Sequence, residues 1–126
     1  MVVLGHEFTH GVFGTTLSHL DSSNNWHIGA LNEAYADIFG TIIAKDSDWL
    51  LGENIDVETS NDTYVRDIGK MTGHNGKEDV QYATKYDSPD LDKECHAASV
   101  IISNVAYNME KSDNFDWDDL RDIWYT

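Results

Sequence analysis

VVLGHEFTHGV, residues 2–12, combines a helical pattern of apolar residues with two histidines four residues apart, His6 and His10. Apolar residues recur mostly at steps of three and four, which predicts a first helix over residues 2–17. Residues four apart lie on one face of a helix, so both imidazoles can reach one metal ion. Glu7 lies about 100° around the helix from His6, near such an ion without being obliged to bind it. The stretch therefore indicates part of a metal site.

A second helix is predicted over residues 30–45, where apolar residues again follow helical spacing. It carries Glu33 and Asp37 on one face, and because the helix is otherwise apolar, a charge there needs a partner. A catalytic zinc ion takes three protein ligands and keeps one position for water. If the two helices pack antiparallel, Glu33 can complete a site with His6 and His10. Asp37 can then accept a hydrogen bond from the back of a ligand imidazole.

The composition is typical of one globular domain with a strongly acidic surface. The chain has 126 residues, of which 40% are hydrophobic, and this excludes a disordered chain. Its 23 acidic and 8 basic residues give a net charge of -15, which disfavours nucleic acid and membrane surfaces as partners. Such a charge suits a secreted protein or one that collects divalent cations, and plain solubility explains it equally well. The lone Cys95 excludes an internal disulfide.

Two further helices are predicted in the second half of the chain. The apolar pattern returns over residues 96–109, and another helix begins after Asp116, whose side chain suits an N-cap. Residues 46–94 are polar and irregular, and we expect mostly loop there, with short helical turns. A loop region of this length is usually functional or stabilised by ions. The predicted fold class is therefore mainly α.

Several segments, taken in order, resemble thermolysin and related zinc neutral metalloproteases. The resemblance rests on VVLGHEFTHGV, GALNEAYADIFGTII (29–43), DWLLGENI (48–55), QYATKY (81–86) and HAASVIISNVAYNM (96–109). It implies a helical zincin fold, in which residues 1–126 form a single partial domain, the carboxy-terminal catalytic subdomain, truncated at both ends. The family's amino-terminal β-rich domain would then be a missing partner.

The resemblance also implies the function, a secreted, zinc-dependent metalloendopeptidase that acts on peptides or proteins. The implied roles are zinc ligands (His6, His10, Glu33), general base (Glu7), oxyanion stabiliser (His96), substrate carbonyl binder (Arg66) and partners of the ligand histidines (Asn32, Asp37). The chemistry is consistent with these roles. Zinc lowers the pKa of its water towards ~7, a carboxylate can carry the proton to the leaving amine, and cationic groups stabilise the oxyanion.

A calcium site is expected to be incomplete. The family binds a calcium pair around the DW-x-x-GE segment, and only Asp48 and Glu53 match those ligands here. Calcium takes six to eight oxygen ligands. We therefore expect one weak calcium ion at these two residues rather than a pair.

Two further departures from the family concern the oxyanion region. The family has an aspartate five residues before its catalytic histidine, and the corresponding residue here is Leu91. We expect Asp90 or Asp92 beside it to orient His96 instead. The loop of residues 18–29 also lacks the tyrosine with which the family assists the oxyanion.

These departures leave alternatives to a working peptidase. One is a zinc-binding but catalytically incompetent fragment, or a binding module, and the absent tyrosine and β-rich domain favour it. Another is a helical protein in which both motifs arose by chance, since a histidine pair at this spacing occurs on ordinary helices. The second of these predicts no change in melting temperature when metal is added.

Overall fold

The computed structural model describes residues 1–16, 25–52, 65–74, 79–89 and 91–125. The helices are α1 (Val2–Thr16), α2 (Trp26–Ala44), α3 (Cys95–Lys111) and α4 (Trp117–Tyr125). The strands are β1 (Leu50–Leu51), β2 (Arg66–Asp67), β3 (Thr72–His74) and β4 (Asp79–Gln81). The mainly helical prediction is confirmed. None of these described helices combines the length and apolar character needed to cross a membrane.

The helix boundaries agree with the sequence pattern except at the start of α2. This helix begins four residues earlier than expected, because the side chain of Asn25 accepts a hydrogen bond from the backbone N–H of His27 and caps it there. The predicted cap of α4 is present, since Asp116 Oδ1 accepts from the backbone N–H groups of Asp118 and Asp119. Local capping residues therefore set two of the helix starts.

The region between α2 and α3 differs from the expected loop with helical turns. Its described residues include four short strands that pair antiparallel in the order β1-β2-β3-β4. Leu51 pairs with Arg66, and Arg66 pairs with Gly73 on its other side. Asn104 of α3 donates a 2.8 Å hydrogen bond to the carbonyl of Ile68, which ties the turn after β2 to the helix. The sheet thus carries Arg66 into the core.

The backbones of α1 and α2 touch where Gly5 meets Gly40. A Cβ atom on Gly40 would lie 2.8 Å from the carbonyl oxygen of Val2 and 2.9 Å from the backbone nitrogen of His6. A Cβ atom on Gly5 would lie 2.9 Å from the Cα atom of Gly40. These distances are shorter than real Cβ contacts, and the atoms met are backbone atoms that cannot move alone. The glycine pair therefore sets how closely the two helices approach.

We expect Gly40→Val to destabilise the fold. Valine gains roughly 0.4 kcal/mol over glycine in helix propensity, but overpacking against fixed backbone costs about 1–3 kcal/mol. Chemical denaturation of the metal-free chain measures the difference. Gly11→Val is the matched control, because a Cβ atom there meets nothing within 4 Å. Equal stability of the two variants would show that α1 and α2 do not need the close approach.

Candidate active site

Three side chains from α1 and α2 converge on one point, and we call them the ligand cluster: His6, His10 and Glu33. The Nε2 atoms of His6 and His10 are 3.0 Å apart. Glu33 Oε1 lies 3.4 Å from His10 Nε2, and Glu33 Oε2 lies 3.5 Å from His6 Nε2. The antiparallel packing assumed from the sequence therefore brings together the three residues expected to bind zinc.

Oxygen atoms of α2 hold the far side of each imidazole. His6 Nδ1 lies 2.9 Å from Asp37 Oδ1, and His10 Nδ1 lies 3.1 Å from Asn32 Oδ1. An N–H at His10 Nδ1 can donate to Asn32 Oδ1, and the Asp37 carboxylate lies at ion-pair distance from His6 Nδ1, so the Nε2 atom of each ring is left to face the cluster. The two residues expected to support the histidines are thus beside them.

The ligand cluster fits a tetrahedral metal ion such as zinc. Zinc bonds to nitrogen and oxygen of ~2.0–2.1 Å imply ligand atoms about 3.3–3.4 Å apart in a tetrahedron. The two Nε2 atoms are 3.0 Å apart, and each lies 3.4 or 3.5 Å from the nearer of the two oxygens of Glu33. Two imidazoles and a carboxylate form one of the donor sets of catalytic zinc. The distances between the donor atoms and their chemical types are therefore both suitable for a zinc ion.

The charges in the cluster also suit a cation. Burial alone would lower the pKa of His6, but its contacts with Asp37 and Glu33 outweigh burial and raise that pKa to about 9. Burial alone would raise the pKa of Glu33, but the surrounding imidazoles outweigh it and hold that pKa below its ordinary value. The site therefore favours a positive charge between these groups, whether a proton or a metal ion.

Arg66 lies beneath the cluster rather than at its open side. Its guanidinium, only 8% exposed, donates a 2.7 Å hydrogen bond to Asp37 Oδ1 and lies 3.9 Å from Glu33 Oε2. Burial opposes its charge, but Asp37 outweighs burial and raises the pKa of Arg66. Asp37 is fully buried and also lies 3.4 Å from the hydroxyl of Ser103. Arg66 thus neutralises the carboxylate that supports His6.

His96 approaches the ligand cluster from α3, and Glu7 lies next to His6 on α1. Glu7 follows His6 on α1 and is exposed to solvent. His96, in the first turn of α3, places Nε2 3.3 Å from Glu33 Oε2, with 47% of its side chain exposed. An imidazole from α3 therefore borders the cluster, and an exposed carboxylate follows His6 on α1.

The acid that contacts His96 at Nδ1 is Glu94, which was not predicted from the sequence. Glu94 Oε1 lies 2.6 Å from His96 Nδ1. Of the two acids expected in this role, Asp92 instead accepts a 2.9 Å hydrogen bond from the backbone N–H of Glu94, and Asp90 lies outside the described residues. The signal in the sequence was an acid directly before the apolar pattern of α3, where an N-cap is expected.

The expected calcium site falls partly outside the described residues, because Glu53 is not among them. Asp48 is exposed, and its Oδ1 atom accepts a 2.9 Å hydrogen bond from the backbone N–H of Leu50. Calcium binding here stays a prediction. The expected position of the absent tyrosine, in residues 18–29, is likewise largely outside the described part of the chain.

Comparison with known proteins gives one consistent family. Residues 21–126 match the model of the thermolysin metallopeptidase alpha-helical domain. A zinc metalloproteinase of Listeria monocytogenes is 34% identical over 113 residues, or 84% of this chain and 20% of the relative. A bacillolysin of Bacillus cereus is 30% identical and a thermolysin of Alicyclobacillus acidocaldarius 29% identical, each over 83% of this chain. The chain spans about a fifth of the length of these relatives, at 20%, 18% and 19%. No solved structure gives a significant match.

Proposed function

The chain belongs to the thermolysin metallopeptidase family, and on that premise we propose that it carries the zinc site and proton-transfer groups of a metalloendopeptidase. The resemblance inferred from its sequence motifs is thereby confirmed at the level of the family. The observation that carries the proposal is the ligand cluster, in which two Nε2 atoms and a carboxylate stand 3.0 to 3.5 Å apart.

In this proposal His6, His10 and Glu33 hold the zinc ion. When bound, zinc would lower the pKa of its water molecule towards ~7 and would also polarise the substrate carbonyl. Glu7, exposed beside the cluster, is free to take a proton from water and to pass it to the leaving amine. His96 turns Nε2 towards the cluster and can donate a hydrogen bond to a developing oxyanion.

Arg66 has a supporting role in this proposal. Its guanidinium holds the Asp37 carboxylate at 2.7 Å, and Asp37 in turn holds the His6 ring. The role that the sequence resemblance implies for Arg66, binding a substrate carbonyl, stays a prediction, because its observed polar contacts are with Asp37 and Glu33.

Peptides or proteins are the proposed substrates, and we propose an extracellular location from the family resemblance. We also propose a β-rich amino-terminal domain as the partner that forms the other wall of the cleft. Apolar side chains on the outer face of α1 support this partner, since Leu4 is 68% exposed and Phe8 65% exposed. Exposed apolar residues at helical spacing are typical of a surface that another part of the protein covers.

A second candidate function is zinc binding without hydrolysis. The openness of the site favours it, since Glu7 is exposed and the His96 side chain is 47% exposed. Catalytic sites usually exclude water when they act, because water weakens electrostatic stabilisation. In this case the chain binds zinc but needs a covering domain to cleave peptides.

Zinc content and hydrolysis of a casein-type substrate, measured on the same sample, test the proposal. We expect about one zinc ion per chain and measurable hydrolysis, and we expect Glu7→Gln to keep the zinc but lose hydrolysis by about 10²- to 10⁴-fold, as for a removed general base. Asp118→Asn, an exposed acid of α4 paired with Arg121, is the matched control and should retain activity. Zinc binding without hydrolysis in the unmodified chain would favour the second candidate. Hydrolysis by Glu7→Gln would exclude Glu7 as the base.

A further inference from the structure

Glu94 joins the N-terminus of α3 to the imidazole of His96. Its Oε2 atom accepts 3.1 Å hydrogen bonds from the backbone N–H groups of His96 and Ala97, so the carboxylate caps the helix. Its Oε1 atom lies 2.6 Å from His96 Nδ1. One carboxylate therefore both caps α3 and contacts the His96 ring, and its hydrogen bonds to the helix N–H groups fix its position.

We propose that Glu94 is the positioning residue of His96, holding the imidazole so that Nε2 faces the ligand cluster. Its effect on hydrolysis rests on the function proposed above. The sequence resemblance implies an aspartate five residues before the histidine, where this chain has Leu91, whose side chain cannot accept a hydrogen bond. Glu94 supplies a carboxylate from a different position, two residues before the histidine.

The exposure of the His96 side chain explains why its ring needs a second contact to hold Nε2 beside the cluster. Nε2 lies 3.3 Å from Glu33 Oε2, while about half of the side chain is exposed. Without a partner at Nδ1, an exposed imidazole could rotate about its side-chain torsions. Glu94 restrains the ring at one nitrogen, so that the other stays beside the cluster.

The charge state of Glu94 supports the same role. Burial opposes ionisation, but hydrogen bonds from the His96 ring and the helix N–H groups outweigh it and lower the pKa of Glu94 to about 2. The carboxylate is therefore charged over the whole neutral range. Asp92 adds rigidity, because its side chain accepts the backbone N–H of Glu94 at 2.9 Å.

A purely structural cap is the alternative, and substitution by another capping residue separates the two. Serine and asparagine are preferred N-caps, so Glu94→Ser and Glu94→Asn should keep α3 while removing the carboxylate from His96 Nδ1. Asp92→Asn is the matched control, because it removes a neighbouring charge but retains an oxygen for the Glu94 N–H. Circular dichroism reports whether each variant keeps its helices.

The test is nitrogen and proton NMR of the His96 ring in the purified chain, with and without added zinc. We expect a hydrogen-bonded Nδ1–H signal in the unmodified chain and in Asp92→Asn, and its loss in Glu94→Ser and Glu94→Asn with helix content unchanged. In the zinc-loaded chain we expect kcat for peptide hydrolysis to fall about 10- to 100-fold with KM unchanged, which is less than the roughly 10²- to 10³-fold cost of removing an oxyanion donor outright.

Two results would overturn the proposal. One is an unchanged Nδ1–H signal in either capping variant, and the other is an unchanged kcat in a variant that has lost that signal. If the unmodified zinc-loaded chain cleaves no peptide, the proposed function fails, while the NMR comparison still decides whether Glu94 positions the ring. The two failures are therefore distinguishable.

Discussion

Glu33→Ala is expected to abolish stoichiometric zinc binding by this chain. Glu33 supplies the only carboxylate of the ligand cluster, with Oε1 3.4 Å from His10 Nε2 and Oε2 3.5 Å from His6 Nε2. Losing a hydrogen-bonding partner behind a zinc ligand already weakens metal binding or activity about 10- to 100-fold. Losing a ligand itself should therefore weaken zinc binding by more than about 100-fold. Competition with a chromogenic chelator measures the affinity.

Glu7→Ala is the matched control for this experiment. It removes a carboxylate from the next position to His6 on the same helix, but Glu7 is exposed and stands outside the ligand cluster. We expect its zinc affinity to stay within a few-fold of the unmodified chain. If Glu33→Ala bound zinc as tightly as Glu7→Ala and the unmodified chain, Glu33 would be excluded from the ligand set. Weak binding by both would show that charge near the site, rather than ligation, determines affinity.

The ligand cluster could be predicted from sequence because each step had a strong local signal. The spacing of His6 and His10 puts them on one helix face, and the apolar surroundings of Glu33 mark a charge that needs a partner. One assumption, antiparallel packing of the two helices on either side of residues 18–29, then brings the three together. The close approach of Gly5 and Gly40, where a Cβ atom on Gly5 would lie 2.9 Å from the Cα atom of Gly40, has no such signal in the sequence.

The support of His96 could not be predicted in the same way. The choice among the nearby acids depends on which backbone N–H each one caps, and a single residue at the start of α3 decides it. Asp92 lies two residues before Glu94, whose backbone N–H it binds, and Glu94 lies two residues before His96, whose ring it binds. The conformation of the turn before α3 determines that Glu94, and not Asp92, contacts the ring. Such geometry leaves no periodic signal in a sequence.

The sheet and the burial of Arg66 were missed for a related reason. Strands of two or three residues are too short to show alternation, so the segment appeared as loop. An arginine in a loop is expected to be exposed, whereas pairing of Arg66 with Leu51 and Gly73 places it inside the protein. Its partner Asp37 was expected near His6 and lies there. The positive charge of Arg66, which Asp37 also contacts, lies on β2, a strand that the sequence pattern did not reveal.

Arg66→Met is expected to lower the free energy of unfolding by about 3–5 kcal/mol, the usual cost of breaking a buried ion pair by removing one partner. Asp37 is fully buried, and its 2.7 Å contact with the guanidinium is the shortest of the polar contacts described for it. Methionine fills much of the same volume, so the cost comes from leaving the buried Asp37 carboxylate with His6 as its remaining cationic partner rather than from a cavity. Urea unfolding of the metal-free chain measures the change.

Arg121→Met provides the control for Arg66→Met, because it removes the same side chain from an exposed pair. Arg121 contacts Asp118 and Asp122 at the surface of α4, where ion pairs contribute little, and its loss should leave stability nearly unchanged. Equal effects of the two substitutions would contradict a buried pair at Asp37.

Because the same carboxylate holds His6 at 2.9 Å, Arg66→Met should also weaken zinc binding about tenfold or more, as expected for the loss of an outer partner. Arg121→Met should not, so zinc affinity provides a second measurement that depends on the site and not on surface charge.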